Sequence, residues 1–419
     1  YSSAFDIYGI AQQVSQIIGD REGIATAHLD LGTVYYFQAN YPDALDNYRI
    51  ARDLFLEIKN DYESAKALSG IALIYKEQRR DPEALAALQQ TLVEFTKLSD
   101  KEEMASALSS IGSIYYGQGK YAEAAEAFRK SIELNPNPDN VVKIADALYM
   151  QGDYSQALRF YKDSLVSPSI KASGASMIGA LNGASNSAYY LGNYDEAIQF
   201  HQQNILVEEK FRDRTGVANS LRGMGNAYRS RGDYPAALES YFKSLAIAQE
   251  IRISAATLFA SIGLTRALQG NNNLALEFYD KALRQFEAEG NKIDLARVLS
   301  LIGNAHYVQG NYDLAIESYR KGLNLREAMS DNPGQIDLLV GLGTTFLKQR
   351  NYSEALANYQ AALTLAEPAG NKETIAALFT RLADVHLSQG NYEETFRLAT
   401  RAVALAHDVG DSNVSWYSQ

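Results

Sequence analysis

The side chains best suited to bind another molecule lie between residues 182 and 307 and are asparagines, arginines and tyrosines. An asparagine amide carries both a donor and an acceptor, so it can pair with a peptide backbone whatever its side chains are. An arginine guanidinium presents a planar fork to a carboxylate, and tyrosine and arginine are frequent in the energetic hot spots of interfaces. We therefore predict a peptide-binding surface made of Asn182, Asn186, Tyr189, Tyr190, Asn219, Arg222, Asn226, Arg229, Arg297, Asn304 and Tyr307.

Motifs for catalysis are absent from the sequence. It contains neither an HExxH helix motif nor a P-loop, and the Gly223–Tyr228 stretch begins like a dinucleotide fingerprint without a preceding strand. The five histidines are scattered, whereas a metal site would place two on one helix face. With no cysteine, thiol catalysis and disulfides are excluded. We predict no enzymatic activity, no metal and no cofactor.

The charge balance limits the classes of partner. The chain has 39 basic and 50 acidic residues, a net charge of −11, and no basic run. This balance argues against nucleic acid or an anionic membrane as the main partner. No apolar run reaches the roughly 20 residues of a membrane span, and no signal peptide is visible, so we expect a cytoplasmic protein.

A small residue followed by a tyrosine and a tight turn recurs along the whole chain. It stands at Gly32, Ala72, Gly112, Ala145, Ser185, Gly225, Gly263, Gly303, Gly343 and Ala383, mostly 40 residues apart, with one spacing of 33 and one of 38. A second small residue follows 12 positions later in each unit except the last, which has Thr395. Small residues at fixed points let two helices approach closely, so the pattern predicts repeated helix–turn–helix units.

This pattern resembles the tetratricopeptide repeat, whose turn matches Gly232-Asp233-Tyr234 and Gly310-Asn311-Tyr312. The spacing near 40 resembles the longer variant found in kinesin light chains and in many bacterial multidomain proteins. The resemblance implies an all-α fold, a right-handed α-α superhelix of antiparallel helix pairs. We expect a single solenoid over residues 1–419, with a second helix at 1–18, ten full repeats at about 22–409 and the start of a further repeat at 410–419.

The resemblance also implies that the first helix of each repeat lines the concave face. All of the predicted peptide-binding residues fall on one stripe of those first helices at helical spacing. In repeats five to eight this stripe carries three arginines and no acidic residue. A local positive field is therefore expected in the groove of an otherwise acidic chain.

We predict a protein–protein interaction scaffold that binds an extended or helical peptide segment with acidic residues in this groove. By resemblance it is the repeat arm of a larger bacterial multidomain protein. The alternative is a regulatory sensor whose groove binds a signal peptide, or another part of its own chain, to control an attached effector domain. The incomplete repeats at both ends predict end-to-end self-association. The short fourth repeat is either a length variation or a hinge.

Overall fold

A computed structural model describes residues 13–15 and 17–409, and every regular element within them is a helix. Residues 13–15 and 17–18 are helical. The other residues of the predicted second helix at 1–18, and the predicted further repeat at 410–419, lie outside the described residues. The helices are α1 (Arg21–Phe37), α2 (Tyr41–Glu57), α3 (Asp61–Glu77), α4 (Asp81–Leu98), α5 (Lys101–Gly117), α6 (Tyr121–Leu134), α7 (Pro138–Gln151), α8 (Tyr154–Leu165), α9 (Pro168–Ala172), α10 (Gly174–Tyr190), α11 (Tyr194–Lys210), α12 (Arg214–Arg231), α13 (Tyr234–Glu250), α14 (Ala256–Leu268), α15 (Asn272–Glu289), α16 (Lys292–Val308), α17 (Tyr312–Ala328), α18 (Asn332–Lys348), α19 (Tyr352–Ala366), α20 (Lys372–Ser388) and α21 (Tyr392–Val409).

The helices pack in pairs that follow the predicted repeats. The chain divides into two compact units, Tyr1–Asp213 and Arg214–Gln419. Within each unit a helix packs mainly against the next one along the chain, and the two helices of one repeat form a hairpin. Short α9 is an addition in the stretch after the fourth repeat, where the sequence is rich in helix breakers. The described part is therefore an all-α array of helix hairpins, as predicted.

Glycine or another small residue on the first helix is required because an aromatic ring of the second helix lies against it. A Cβ atom added to Gly303 would lie 2.5 Å from the ring of Tyr319, and one added to Gly32 would lie 2.8 Å from the ring of Tyr48. These rings are buried. The second small residue is fully buried in each of the nine repeats that have alanine there, from Ala44 to Ala355. The predicted small positions are thus confirmed as the contact points of the hairpin.

The turn inside each repeat contains a residue in the left-handed conformation, seven positions after the small residue. Seven of the ten repeats have glycine there, which adopts positive φ without steric cost. Ala39, Arg79 and Arg350 adopt the same conformation with φ between 56° and 60°. A residue with a Cβ atom is strained in this region by roughly 1–2 kcal/mol. These three turns therefore store strain that the other seven avoid.

Polar caps begin many of the first helices. The side chains of Asp20, Asn291 and Asn371 accept hydrogen bonds from backbone N–H groups three residues further on, at 3.0–3.1 Å. Such caps satisfy one of the free donors of a helix N-terminus.

The fourth repeat differs because both helices at its entrance are short. Helices α6 and α7 have 14 residues each. The corresponding second and first helices of other repeats, such as α2 and α5, have 17 residues each. Pro138 occupies the first turn of α7, and the Asn137 side chain caps it. The short spacing thus removes about one helical turn from α6 and about one from α7, on either side of the loop that connects them.

Two reciprocal substitutions test the turn. Gly310 has no atom within 4 Å of an added Cβ atom, so Gly310→Ala would introduce only backbone strain. We expect it to lower the free energy of unfolding by about 1 kcal/mol. Arg350→Gly should raise it by roughly 0.5–1 kcal/mol, because the relieved strain exceeds the entropy that glycine adds to the unfolded chain. Urea unfolding followed by circular dichroism measures the free energy of unfolding of both variants. If both variants change it in the same direction, the left-handed conformation does not explain the choice of residue at this turn.

Candidate peptide-binding surface

The residues of the predicted surface divide between the two units. Helix α10 in the first unit carries Asn182, Asn186, Tyr189 and Tyr190. The second unit carries the other seven, on two helices that both contact α14. These are Asn219, Arg222, Asn226 and Arg229 on α12, and Arg297, Asn304 and Tyr307 on α16.

In the first unit the tyrosines belong to a cluster of rings. Tyr190 is 58% exposed and stacks on Tyr154 with ring centres 4.7 Å apart. It also meets the edge of Tyr149 at 6.1 Å. Burial and the neighbouring hydroxyl of Tyr190 raise the pKa of Tyr149 to about 12. The Tyr149 hydroxyl is therefore uncharged at neutral pH, and the stack leaves one face of Tyr190 open to solvent.

The other predicted residues of α10 differ in exposure. Asn186 is exposed, whereas Asn182 is half-buried. The Oδ1 atom of Asn182 accepts a hydrogen bond from Asn204 at 2.9 Å. Tyr189 is half-buried and contacts the ring of Tyr194 at 5.6 Å. Asn186 and Tyr190 are thus the most accessible predicted residues of this unit.

In the second unit the predicted residues form the two polar borders of a surface with an apolar centre. Helix α14 lies between α12 and α16 and contacts both. On the same stripe α14 carries Leu264, Ala267 and Leu268, of which Leu268 is 51% exposed. We call these three residues, together with the seven predicted residues of α12 and α16, the α12–α16 surface. It places arginines and asparagines on either side of leucine side chains.

Two of the three asparagines of this surface also accept hydrogen bonds from tyrosines of the core. The hydroxyl of Tyr241 donates to Asn226 Oδ1 at 2.8 Å, and that of Tyr319 donates to Asn304 Oδ1 at 2.6 Å. In both pairs the acceptor directly follows the small residue and the tyrosine comes 15 positions later. The same link joins Thr33 to Tyr48, Asp146 to Tyr161 and Thr344 to Tyr359.

Sequence reasoning missed this structural role. The signal was present, because a polar residue follows the small residue in five of the six repeats with a tyrosine at this core position. In the sixth repeat the residue after the small position is Leu264, whose side chain cannot accept a hydrogen bond from Tyr279. There burial raises the pKa of the Tyr279 hydroxyl, while the charge of Arg229 acts in the opposite direction. Arg229 is therefore close enough to influence the neighbouring repeat.

The three arginines are not equivalent. Arg297 forms an ion pair with Asp294, one turn earlier on its own helix, at 2.7 Å. The Arg222 guanidinium makes a long hydrogen bond of 3.4 Å to the amide oxygen of Asn219, which is neutral. Within the part of the chain that the structure describes, neither Arg222 nor Arg229 has a carboxylate within 4.0 Å. The uncompensated positive charge of this surface thus comes from α12.

The described residues contain no group of three histidine, aspartate or glutamate side chains placed to hold a metal ion. His201 is buried, and His306 and His386 are half-buried at the position that tyrosine occupies in other repeats. Burial lowers the pKa of His306, partly opposed by a hydrogen bond with Gln309. Over the same residues, no helix is long and apolar enough to cross a membrane.

Comparisons with known proteins agree on the repeat. A tetratricopeptide repeat family model matches residues 63–137, 176–250, 254–328, 294–368 and 334–408, and a second tetratricopeptide repeat model matches 109–172. A search of curated protein sequences found no match.

Solved structures that resemble this chain include two at low sequence identity. One is a signal transduction ATPase with numerous domains (STAND) that has a tetratricopeptide repeat sensor, from Pyrococcus horikoshii, with a TM-score of 0.55 and 14% identity. The match covers 84% of this chain and 55% of that one, so this chain spans about half its length. The other is the apo form of RapI, with a TM-score of 0.58, 13% identity and coverage of 83% of this chain and 99% of that chain. At such identities the likeness concerns the fold.

The hydrogen bond from the Tyr161 hydroxyl to Asp146 predicts that a neutral acceptor at position 146 stabilises the chain. Burial raises the pKa of this carboxyl above its usual 3.8, although the hydrogen bond from Tyr161 lowers it. Because the folded-state pKa exceeds the unfolded value, ionisation of Asp146 costs stability as the pH rises. Asp146→Asn keeps an acceptor for Tyr161 and should raise the free energy of unfolding at pH 7 by roughly 0.5–2 kcal/mol.

The pH dependence and a reverse substitution provide the controls. The gain from Asp146→Asn should shrink as the pH is lowered towards about 4, where the carboxyl is increasingly protonated in the folded state. Asn304→Asp should change the stability at pH 7 much less, because position 304 is exposed and a carboxylate there stays hydrated. Urea unfolding at several pH values measures both, and a gain that does not depend on pH would contradict the argument.

Proposed function

Because the chain belongs to the tetratricopeptide repeat family, we propose that its α12–α16 surface binds an extended protein segment that bears carboxylates. Proteins with tetratricopeptide repeats bind protein or peptide partners and are generally non-enzymatic scaffolds. The proposal assigns that role to particular side chains of this chain.

The observation that carries the proposal is the pair of uncompensated arginines on α12. Arg222 and Arg229 are half-buried and lack a carboxylate partner among the described residues, in a chain with a net charge of −11. A guanidinium that is partly shielded from water attracts an incoming carboxylate more strongly than an exposed one. The arginine fork also fixes the orientation of that carboxylate.

The neighbouring side chains define the remaining features of the segment. Leu264 and Leu268 would contact an apolar side chain next to the acidic one. Asn226 and Asn304 already accept hydrogen bonds through Oδ1, so they offer their amide N–H groups to carbonyl oxygens of the bound backbone. Because these donors do not read side chains, they would add affinity without a strict sequence requirement.

In the first unit, we propose exposed Asn186 and the open face of Tyr190 as a separate contact area for a peptide. A tyrosine ring supplies a large contact area with little conformational freedom to lose. Asn182 and Tyr189 would contribute mainly by supporting these two residues, since both are half-buried and packed.

A regulatory sensor is the second candidate. The similar protein from Pyrococcus horikoshii is described as having a tetratricopeptide repeat sensor, and this chain spans only part of it. In this reading the chain is the repeat arm of a larger protein. Its α12–α16 surface binds a signal peptide, or a segment of the same protein, and thereby controls an attached domain.

The test uses peptides selected by display against the parent protein. We expect the selected peptides to contain Asp or Glu beside an apolar residue. Arg222→Ala with Arg229→Ala should weaken their binding about 30-fold or more, because loss of an arginine hot spot typically costs about 2 kcal/mol. The salt dependence of binding should fall as well. Fluorescence anisotropy at two salt concentrations measures both effects.

Arg297→Ala is the matched control. This arginine lies on the same surface but is already paired with Asp294, so its removal should weaken binding less than removal of Arg222 or Arg229. Circular dichroism checks that each variant is folded. Selected peptides without acidic residues, or equal binding by the parent and the double variant, would refute the proposal.

A further inference from the structure

Two tyrosine rings lie face to face where the fourth repeat meets the fifth. Tyr154 begins α8 and Tyr190 ends α10. Their ring centres are 4.7 Å apart and their planes are inclined by 13°. Other tyrosine pairs meet at steeper angles, as in Tyr116–Tyr121, where the planes are inclined by 67°. Among the aromatic contacts of the described residues, Tyr154–Tyr190 is the one stacked pair.

This pairing of phenol groups across two repeats follows from one unusual residue. A tyrosine nine positions after the small residue begins the second helix in eight of the ten repeats, and Tyr154 is one of them. Tyr190 comes five positions after Ser185, at the end of a first helix. Because α8 packs on α10, the two rings meet. The other nine repeats have no tyrosine at the position of Tyr190 and carry Phe37, Glu77, Gly117, Met150, Ser230, Leu268, Val308, Lys348 and Ser388.

The stack is open to reagents in solution. Tyr190 is 58% exposed, and Tyr154 is half-buried. The chain has 28 tyrosines and no cysteine, so a covalent bond between two of its helices cannot be a disulfide. Tyrosine rings form such a bond by another route, since two phenoxyl radicals couple through the ring carbons next to the carbon that bears the oxygen.

We propose that Tyr154 and Tyr190 are a site of oxidative cross-linking, at which a one-electron oxidant such as an oxidised haem peroxidase joins the two rings. Each phenol loses one electron and one proton, and the two radicals form a carbon–carbon bond. The hydrogens on the bonded carbons then move to the two oxygens as protons and restore both hydroxyls. The net loss of two electrons and two protons reduces one hydrogen peroxide to two waters.

The stacked arrangement favours this reaction over an edge-on contact. In the first coupled product the two bonded carbons are tetrahedral, so the rings approach through their faces. Tyr154 allows a direct comparison, because it stacks on Tyr190 and meets Tyr149 edge-on at 5.3 Å with planes inclined by 63°. Holding two reactants in a productive orientation accelerates their reaction. Tyr154 should therefore couple to Tyr190 rather than to Tyr149.

The cross-link would strengthen the junction between the fourth and fifth repeats. It ties α8 to α10 across the stretch that contains short α9 and is rich in helix breakers. A covalent bond between residues distant in sequence lowers the entropy of the unfolded chain and thereby stabilises the folded state. The site thus gives a chain without cysteine a covalent response to oxidation.

The experiment oxidises the full chain at low concentration with light, tris(bipyridine)ruthenium and persulfate, which together act as a one-electron oxidant of tyrosine. Tandem mass spectrometry of a tryptic digest locates the cross-links, since each one removes two hydrogen atoms. The Tyr154–Tyr190 product should exceed the Tyr149–Tyr154 product about tenfold or more, because the first pair is held face to face.

Phenylalanine variants provide the controls, because each keeps the ring and removes the phenol. Tyr190→Phe should abolish the cross-link to Tyr154, and Tyr149→Phe should leave it unchanged. Tyr307–Tyr312 in the second unit, with planes inclined by 51°, is the internal reference and should yield little product under the same illumination. Circular dichroism checks that each variant is folded.

Urea separates the effect of the folded geometry from that of the sequence. Oxidation of the unfolded chain in concentrated urea should give no excess of the Tyr154–Tyr190 product. The oxidised parent should unfold at a higher urea concentration than oxidised Tyr190→Phe, which has undergone the same methionine oxidation.

The proposal fails if only methionine is oxidised, if Tyr154 couples mainly to Tyr149, or if the unfolded chain gives the same excess of product. It also fails if the oxidised parent and oxidised Tyr190→Phe unfold at the same urea concentration. It does not depend on the α12–α16 surface. Arg222→Ala with Arg229→Ala should leave the cross-link unchanged, so the two proposals can fail separately.

Discussion

The structure depends on a contact between an aromatic ring of most second helices and glycine residues of the first helices. The ring of Tyr48 lies against Gly32 of its own repeat and Gly70 of the next, and Cβ atoms at these glycines would approach it to 2.8 Å and 2.6 Å. Tyr319 makes the same double contact with Gly303 and Gly341. One ring thus fixes the spacing of two successive first helices. Because each repeat packs only on its neighbours, such local contacts set the geometry of a solenoid.

The same ring links the core to the exposed face. Its hydroxyl reaches the residue after the small position, which lies on the exposed stripe of the first helix, as in Tyr241–Asn226 and Tyr319–Asn304. The asparagines that resemble a peptide-reading surface are therefore oriented from inside the hairpin. A side chain held in this way loses little conformational freedom when it binds a partner. It also acts only through its remaining N–H donors.

The sequence was sufficient to predict the hairpins and their small contact positions, because these depend on residue type at fixed spacing. Two features were missed although the sequence carries a signal for them. A polar residue follows the small residue in most repeats with a core tyrosine, and the two side chains meet across the hairpin. Asp294 lies three residues before Arg297 on the same helix, just outside the exposed stripe. A third feature could not be predicted: the spacing of 33 gives only the total loss, whereas the structure shows that it is divided between α6 and α7. The peptide-binding residues remain a prediction.

A double-mutant cycle on Gly303 and Tyr319 tests the role of the ring contact most directly. Gly303→Ala should lower the free energy of unfolding by about 1–3 kcal/mol through overpacking, although alanine favours helix. The loss should be much smaller when Tyr319 is already leucine. Gly179→Ala is the reference, since an added Cβ atom there has no neighbour within 4 Å, and it should stabilise α10 by up to about 1 kcal/mol. If Gly303→Ala and Gly179→Ala stabilise the chain equally, the ring contact does not set the spacing of the repeats.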